Sequence, residues 1–119
     1  MVTNEVIQSA YNELIKAYDI AVSKAIDTME MKKVLETAET SLLAAGEIEG
    51  ANAEIRTAKL KAATGDQRKR LYEEELAKKN ADAAVEIIRM EIESYKWQIR
   101  NTSNLLREKE LSMGGKTDE

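Results

Sequence analysis

Apolar residues recur at intervals of three and four along most of this chain, and the pattern lapses around residues 45–52. In the first half Ile7, Tyr11, Leu14, Ile15, Tyr18, Ala21, Val22, Ala25, Ile26 and Met29 form a wide stripe. Such spacing places them on one face of a helix that buries that face. Beyond Met29 the phase changes: Met31, Val34, Leu35, Ala38, Leu42 and Ala45 also recur helically, but at about 100° per residue they fall nearly opposite the first stripe. Neither glycine nor proline marks the change, so the expectation is a continuous helix that changes partner near residues 30–33. Thr3 or Asn4 can cap its start by accepting an amide of the first turn.

Gly46 and Gly50 sit in the lapse, and the chain has no proline, so this span predicts the turn. Asn52 is a reasonable N-cap for a short helix through Ile55, Leu60, Ala62 and Ala63. Thr64-Gly65-Asp66-Gln67 fits a capping box in which Thr64 caps forward and Gln67 reaches back, so a third helix is expected to restart there. That helix should end at about Ser112, where Met113-Gly114-Gly115 supplies a stop. Lengths support this division. A helix over 4–45 spans about 63 Å and one over 66–112 about 70 Å, whereas an unbroken 52–112 would reach about 90 Å. The predicted fold is all-α, a long antiparallel helical hairpin of helices 4–45 and 66–112 with a short helix at 52–64. Residues 1–113 would form one helical domain and 114–119 a flexible tail.

The last helix carries two stripes. Ala81, Ala84, Val85, Ile88, Ile92, Tyr95, Ile99, Thr102 and Leu106 form one, with spacings that alternate between three and four over long stretches. Leu76, Ala83, Ile87, Met90 and Trp97 form another on roughly the opposite side. One partner helix cannot cover both, so a lone hairpin would expose an apolar face. Leu76, Ile87, Met90 and Trp97 are therefore the candidate self-association residues, with a homodimer closing a bundle as the favoured oligomer.

Composition removes several classes of chemistry. The chain has no cysteine and no histidine, hence no disulfide framework, no thiolate nucleophile and neither the usual general base nor the commonest metal ligand. The acids at Glu73, Glu74, Glu75, Glu86, Glu91 and Glu93 read as solvated helix faces, because di-metal bundles use Glu-x-x-His and calcium loops need acids spaced around a glycine. Gly114-Gly115-Lys116-Thr117 resembles the end of a phosphate-binding loop, but Glu110 stands where its first glycine belongs and no strand precedes it. Asn101-Thr102-Ser103 matches a glycosylation acceptor inside a helical pattern. Neither is pursued. No enzyme, cofactor or metal is expected. Without a signal peptide or an apolar run long enough to span a bilayer, the expected setting is cytoplasmic, with no membrane partner.

The net charge of -4 hides a local imbalance. Residues 1–54 carry ten acids against four bases, 55–72 six bases against one acid, and 73–119 eleven acids against eight bases. Arg56, Lys59, Lys61, Arg68, Lys69 and Arg70 make up the basic island, opposed by Asp66. These six could contact phosphates. Balancing the acidic first arm, Glu47 and Glu49 included, carries more weight.

The segment from Gly46 to Leu60 has Gly46, Gly50, Asn52, Ala53, Glu54, Arg56, Ala58 and Leu60 in the spacing G-x-x-x-G-x-N-A-E-x-R-x-A-x-L. This resembles a recurring pattern in small helical, coiled-coil-like proteins of bacteriophages and prophages, although Gly50-Ala51 stands where such chains often have Gly-Lys. The resemblance implies a phage-encoded protein of the host bacterial cytoplasm, in a nucleic-acid-metabolism or host-interaction context. It supplies no catalytic residue. The expected function is therefore non-enzymatic, through self-association and binding of a host or phage protein. The alternative is a nucleic-acid-associated accessory factor acting through residues 56–70.

Overall fold

The computed structural model describes the backbone of residues 2–117 and the side chains of residues 2–112. The chain is all-α, with α1 (Asn4–Ala44), α2 (Ala53–Ala63) and α3 (Gly65–Thr117), and α1 packs antiparallel to α3. The order long, short, long is the one the sequence predicts. Contacts cluster into two units: unit 1 comprises Met1–Ala17 with Ala84–Glu119, and unit 2 comprises Tyr18–Ala83.

Local chemistry explains each helix end. Thr3, rather than Asn4, caps α1: its Oγ1 accepts the Val6 amide at 3.3 Å. At the other end Glu47 N–H donates to the Leu42 carbonyl and Gly46 N–H to that of Leu43, each at 3.2 Å. This Schellman pairing needs a left-handed residue after the helix, and Gly46 supplies it with φ at 72°. Gly50 serves differently. A Cβ there would lie 2.7 Å from Ile55 Cγ2, so the absent side chain lets the loop lie against the start of α2. Asn52 caps α2 as expected, its Oδ1 accepting the Ile55 amide at 2.9 Å.

The junction between α2 and α3 differs from the expected capping box. Thr64 alone separates the helices, and its hydroxyl donates back to the Leu60 carbonyl at 2.8 Å while accepting Arg68 Nε at 3.0 Å. Thr64 N–H also donates to Leu60 O, and its carbonyl accepts the Arg68 amide at 2.9 Å. With four-residue backbone bonds on both sides of the break, the hydroxyl is free to close on the preceding turn. Thr64 is fully buried. The end of α3 also lies later than residue 112. Glycine lowers helix propensity by about 1 kcal/mol without forbidding helical angles, unlike proline, and α3 runs through Gly114-Gly115 to Thr117. The expected tail at 114–119 thus falls on α3 up to Thr117, and residues 118 and 119 lie outside the described residues.

Burial corrects the expected change of partner within α1. The helix is continuous, but its most regular buried line is Ile7, Ala10, Leu14, Ala17, Ala21, Lys24, Thr28, Met31, Leu35, Ala38 and Leu42, with Tyr11, Tyr18, Ala25, Asp27 and Glu39 half-buried beside it. The spacing of that line alternates strictly between three and four, and α3 is the partner in both units. A 3.5-residue seam drifts by about 20° per heptad on a straight 3.6-residue helix. Over five heptads that is about 100°, which accounts for part of the offset between the two stripes. Ile15, Val22, Ile26 and Met29, read as part of the buried stripe, are exposed.

Candidate functional site

In unit 1 the seam is apolar. Ala10, Ala17, Val85 and Ile92 are buried, with Ile7, Leu14, Ile88, Tyr95 and Ile99 half-buried around them. Val85, Ile88, Ile92, Tyr95 and Ile99 belong to the first predicted stripe of α3, whereas its Ala84, Thr102 and Leu106 are exposed. Lys96 Nζ lies 5.7 Å from the centre of the Tyr11 ring. A hydrogen bond with Tyr11, then the negative charge of the Tyr11 phenolate and of Glu93, raises the Lys96 pKa above its ordinary 10.5. This pairing ties an exposed lysine of α3 to the flank of α1.

The second predicted stripe lies in the open. Ile87, Met90 and Trp97 belong to unit 1 and are 58%, 70% and 63% exposed. Counting the seam positions Val85, Ile88 and Ile92 as heptad positions a, d and a, Met90 and Trp97 fall at f and Ile87 at c. Those positions point away from a coiled-coil seam. Exposed Ser94 and Asn101 continue the line at c. Glu86, Glu93, Arg100 and Arg107 flank it at b, while Glu91 and Gln98 flank it at g. Two of the acids hold intrahelical partners, Arg89 Nη1 to Glu86 at 3.1 Å and Lys96 to Glu93 at 3.5 Å.

In unit 2 the seam is mixed, with Met31, Ala38, Leu42 and Leu71 half-buried beside polar residues. Ala21, Leu35 and Ala81 are buried, but so are Thr28 and Thr64, and Lys24, Gln67, Arg68, Glu74 and Lys78 are half-buried. Thr28 Oγ1 has one proton for two carbonyls, Lys24 O at 2.8 Å on its own helix and Glu74 O at 3.3 Å on α3. Glu74 Oε2 is buried without a hydrogen-bond partner. Leu76, the remaining candidate self-association residue, is 46% exposed. Exposed Val22 and Met29 stand seven residues apart on α1. Their repeat was visible in the sequence, but a helical wheel with a 3.6-residue period merged them into the seam.

The basic island lies entirely in unit 2 and is partly committed to the fold. Arg68 Nη2 pairs with Glu39 Oε1, closing a relay from the Leu60 carbonyl through Thr64 to α1. Arg56 Nη1 donates to the Gly50 carbonyl at 3.2 Å. Lys59, Lys61, Lys69 and Arg70 are exposed. Arg70 lines a shallow concavity with Asp27, Glu30, Met31, Val34, Glu73 and Glu74, so its surroundings are chiefly acidic. Lys78 pairs with Asp82 at 3.1 Å.

Among the described residues no group of three or more Asp, Glu, His or Cys is placed to hold a metal ion, and no helix is long and apolar enough to cross a membrane. No family model matches the chain, and neither a curated protein nor a solved structure matches it.

Proposed function

We propose that this chain is a non-enzymatic interaction protein that self-associates and presents apolar helix faces to other proteins. The observation that carries the reading is the outer face of α3 in unit 1, where Ile87, Met90 and Trp97 stand exposed on the side turned away from the seam. Exposed apolar residues are ordinary when scattered. Three at c and f positions, including the chain's only tryptophan, form a line that a second helix could bury. Tryptophan and methionine are also enriched at protein interfaces. The nucleic-acid alternative has less support, because Arg68 and Arg56 serve intramolecular contacts and Arg70 sits among acids.

Sedimentation equilibrium over a wide concentration range tests the reading. The expected result is a mass rising above the 13.3 kDa protomer, with Trp97 fluorescence shifting to the blue as it rises. A Met90→Ser, Trp97→Ala variant should remain helical and shift towards monomer. A wild-type chain that stays monomeric throughout would refute self-association.

A further inference from the structure

We infer that the outer face of α3 takes a second copy of this chain in antiparallel orientation, with the two-fold axis level with Tyr95 and Lys96. The inference rests on the self-association proposed above and adds the occupant, its direction and its register. The argument is charge complementarity. Residues at b flank the exposed line on its f side, and in unit 1 they run Glu86, Glu93, Arg100 and Arg107, acidic then basic. A segment that changes sign along its length complements itself when reversed.

In an antiparallel pair these flanking positions face their own kind. With the axis at Tyr95 and Lys96, Glu93 meets Arg100 of the second copy and Glu86 meets Arg107, and the two-fold repeats both pairs. On the other flank Glu91 meets Gln98, so no like charges oppose one another. Trp97 then faces Ser94 of the second copy, Met90 faces Asn101 and Ile87 faces Asn104, so each apolar side chain meets a smaller polar one.

Other antiparallel registers keep one of these opposite-charge pairings and add like-charge contacts. Moving the axis one half-heptad towards the N-terminus keeps Glu86 against Arg100 but sets Glu93 against Glu93 and Glu91 against Glu91. An equal shift towards the C-terminus keeps Glu93 against Arg107 but sets Arg100 against Arg100. A parallel in-register pair sets Glu86 against Glu91 of the second copy and forms no opposite-charge pair at these positions. Like charges in facing positions are unfavourable.

The chain has no cysteine, so cross-linking has no background. Full-length Glu93→Cys and Arg100→Cys variants, carrying tags of different mass, would be mixed and treated with a short bis-maleimide. The expected product is chiefly the 93-to-100 heterodimer, in excess over either same-site product. A dimer that cross-links mainly 93 to 93 or 100 to 100 would overturn the register while leaving self-association standing. A chain that is monomeric at every concentration would overturn both. Charge exchange provides a second readout: Glu93→Arg should weaken association about tenfold, and adding Arg100→Glu should restore it. If the double variant is weaker than the single, the pairing is wrong.

Discussion

Unit 1 and unit 2 are built from the same two long helices, but they fill their seams with different chemistry. In unit 1 α3 contributes Val85, Ile88, Ile92, Tyr95 and Ile99; in unit 2 it contributes Gln67, Leu71, Glu74, Lys78 and Ala81 after Thr64. Burial of apolar area holds the first seam, at about 25 cal/mol per Å². The second relies more on hydrogen bonds, whose net contribution is about 1 kcal/mol each once exchange with water is counted. The contrast extends outward. Unit 1, with the better filled seam, also carries the more exposed apolar line, in Met90 and Trp97. Unit 2 carries the polar links of Thr28, Arg68 and Glu39, whose directionality favours one alignment of the helices.

The largest effect that would break the comparison is expected in unit 1. Ile92 is 3% exposed, and Ile92→Ala should lower stability by about 2–4 kcal/mol through lost transfer energy and an unfilled cavity. Urea unfolding followed by far-ultraviolet dichroism measures it, and a loss below about 1 kcal/mol would mean that this seam can collapse around the gap.

A smaller change, of opposite sign, is expected in unit 2. Glu74→Leu removes the carboxylate oxygen that is buried without a partner and leaves the backbone acceptor of Thr28 in place. It should stabilise the chain by about 1 kcal/mol, since an unpartnered buried polar atom costs that much or more. Destabilisation in the same assay would show that the unit 2 seam depends on Glu74 as an acid.

The smallest effect concerns Lys96. Its pKa in the folded chain is raised, by the hydrogen bond with Tyr11 first and by charge second. The folded state therefore holds this proton more tightly than the unfolded state does. The stabilisation is fully present below the ordinary lysine value of 10.5 and is lost as pH climbs through the raised value. Stability of the wild type relative to Lys96→Met should be flat from pH 8 to about 10 and narrow above it. A gap that widens with pH would reverse the assignment.

Much of the architecture was legible because it is local. Thr3 and Asn52 as caps, the turn at Gly46, and a break within one residue of Gly65 all follow from short-range backbone chemistry. The inner and outer lines of α3 were legible as well, since Val85 to Ile99 and Ile87 to Trp97 separate cleanly on either period. Less visible was α1, where Ile15, Val22 and Met29 lie close enough to the seam residues on a 3.6-residue wheel to pass for part of it. The role of Thr64 was also missed. A capping box and a hydroxyl bonded back to Leu60 share the same residue, and the presence of α2 immediately before it favours the second. Arg68 likewise read as one of six surface cations, because Glu39 is remote from it in sequence.

By itself the sequence determined that the chain is helical, where each helix begins, where α1 turns, and that α3 has more apolar surface than one partner helix can cover. Composition, capping side chains and the spacing of apolar residues act within a few turns, so no distant contact is needed to read them. Only the tertiary structure decided that α1 buries a single 3.5-residue seam against α3, that Arg68 and Arg56 serve the fold, and that Ile87, Met90 and Trp97 stand uncovered in unit 1. Those outcomes depend on which residues meet across the two helices, and a periodic pattern does not specify the partner that satisfies it.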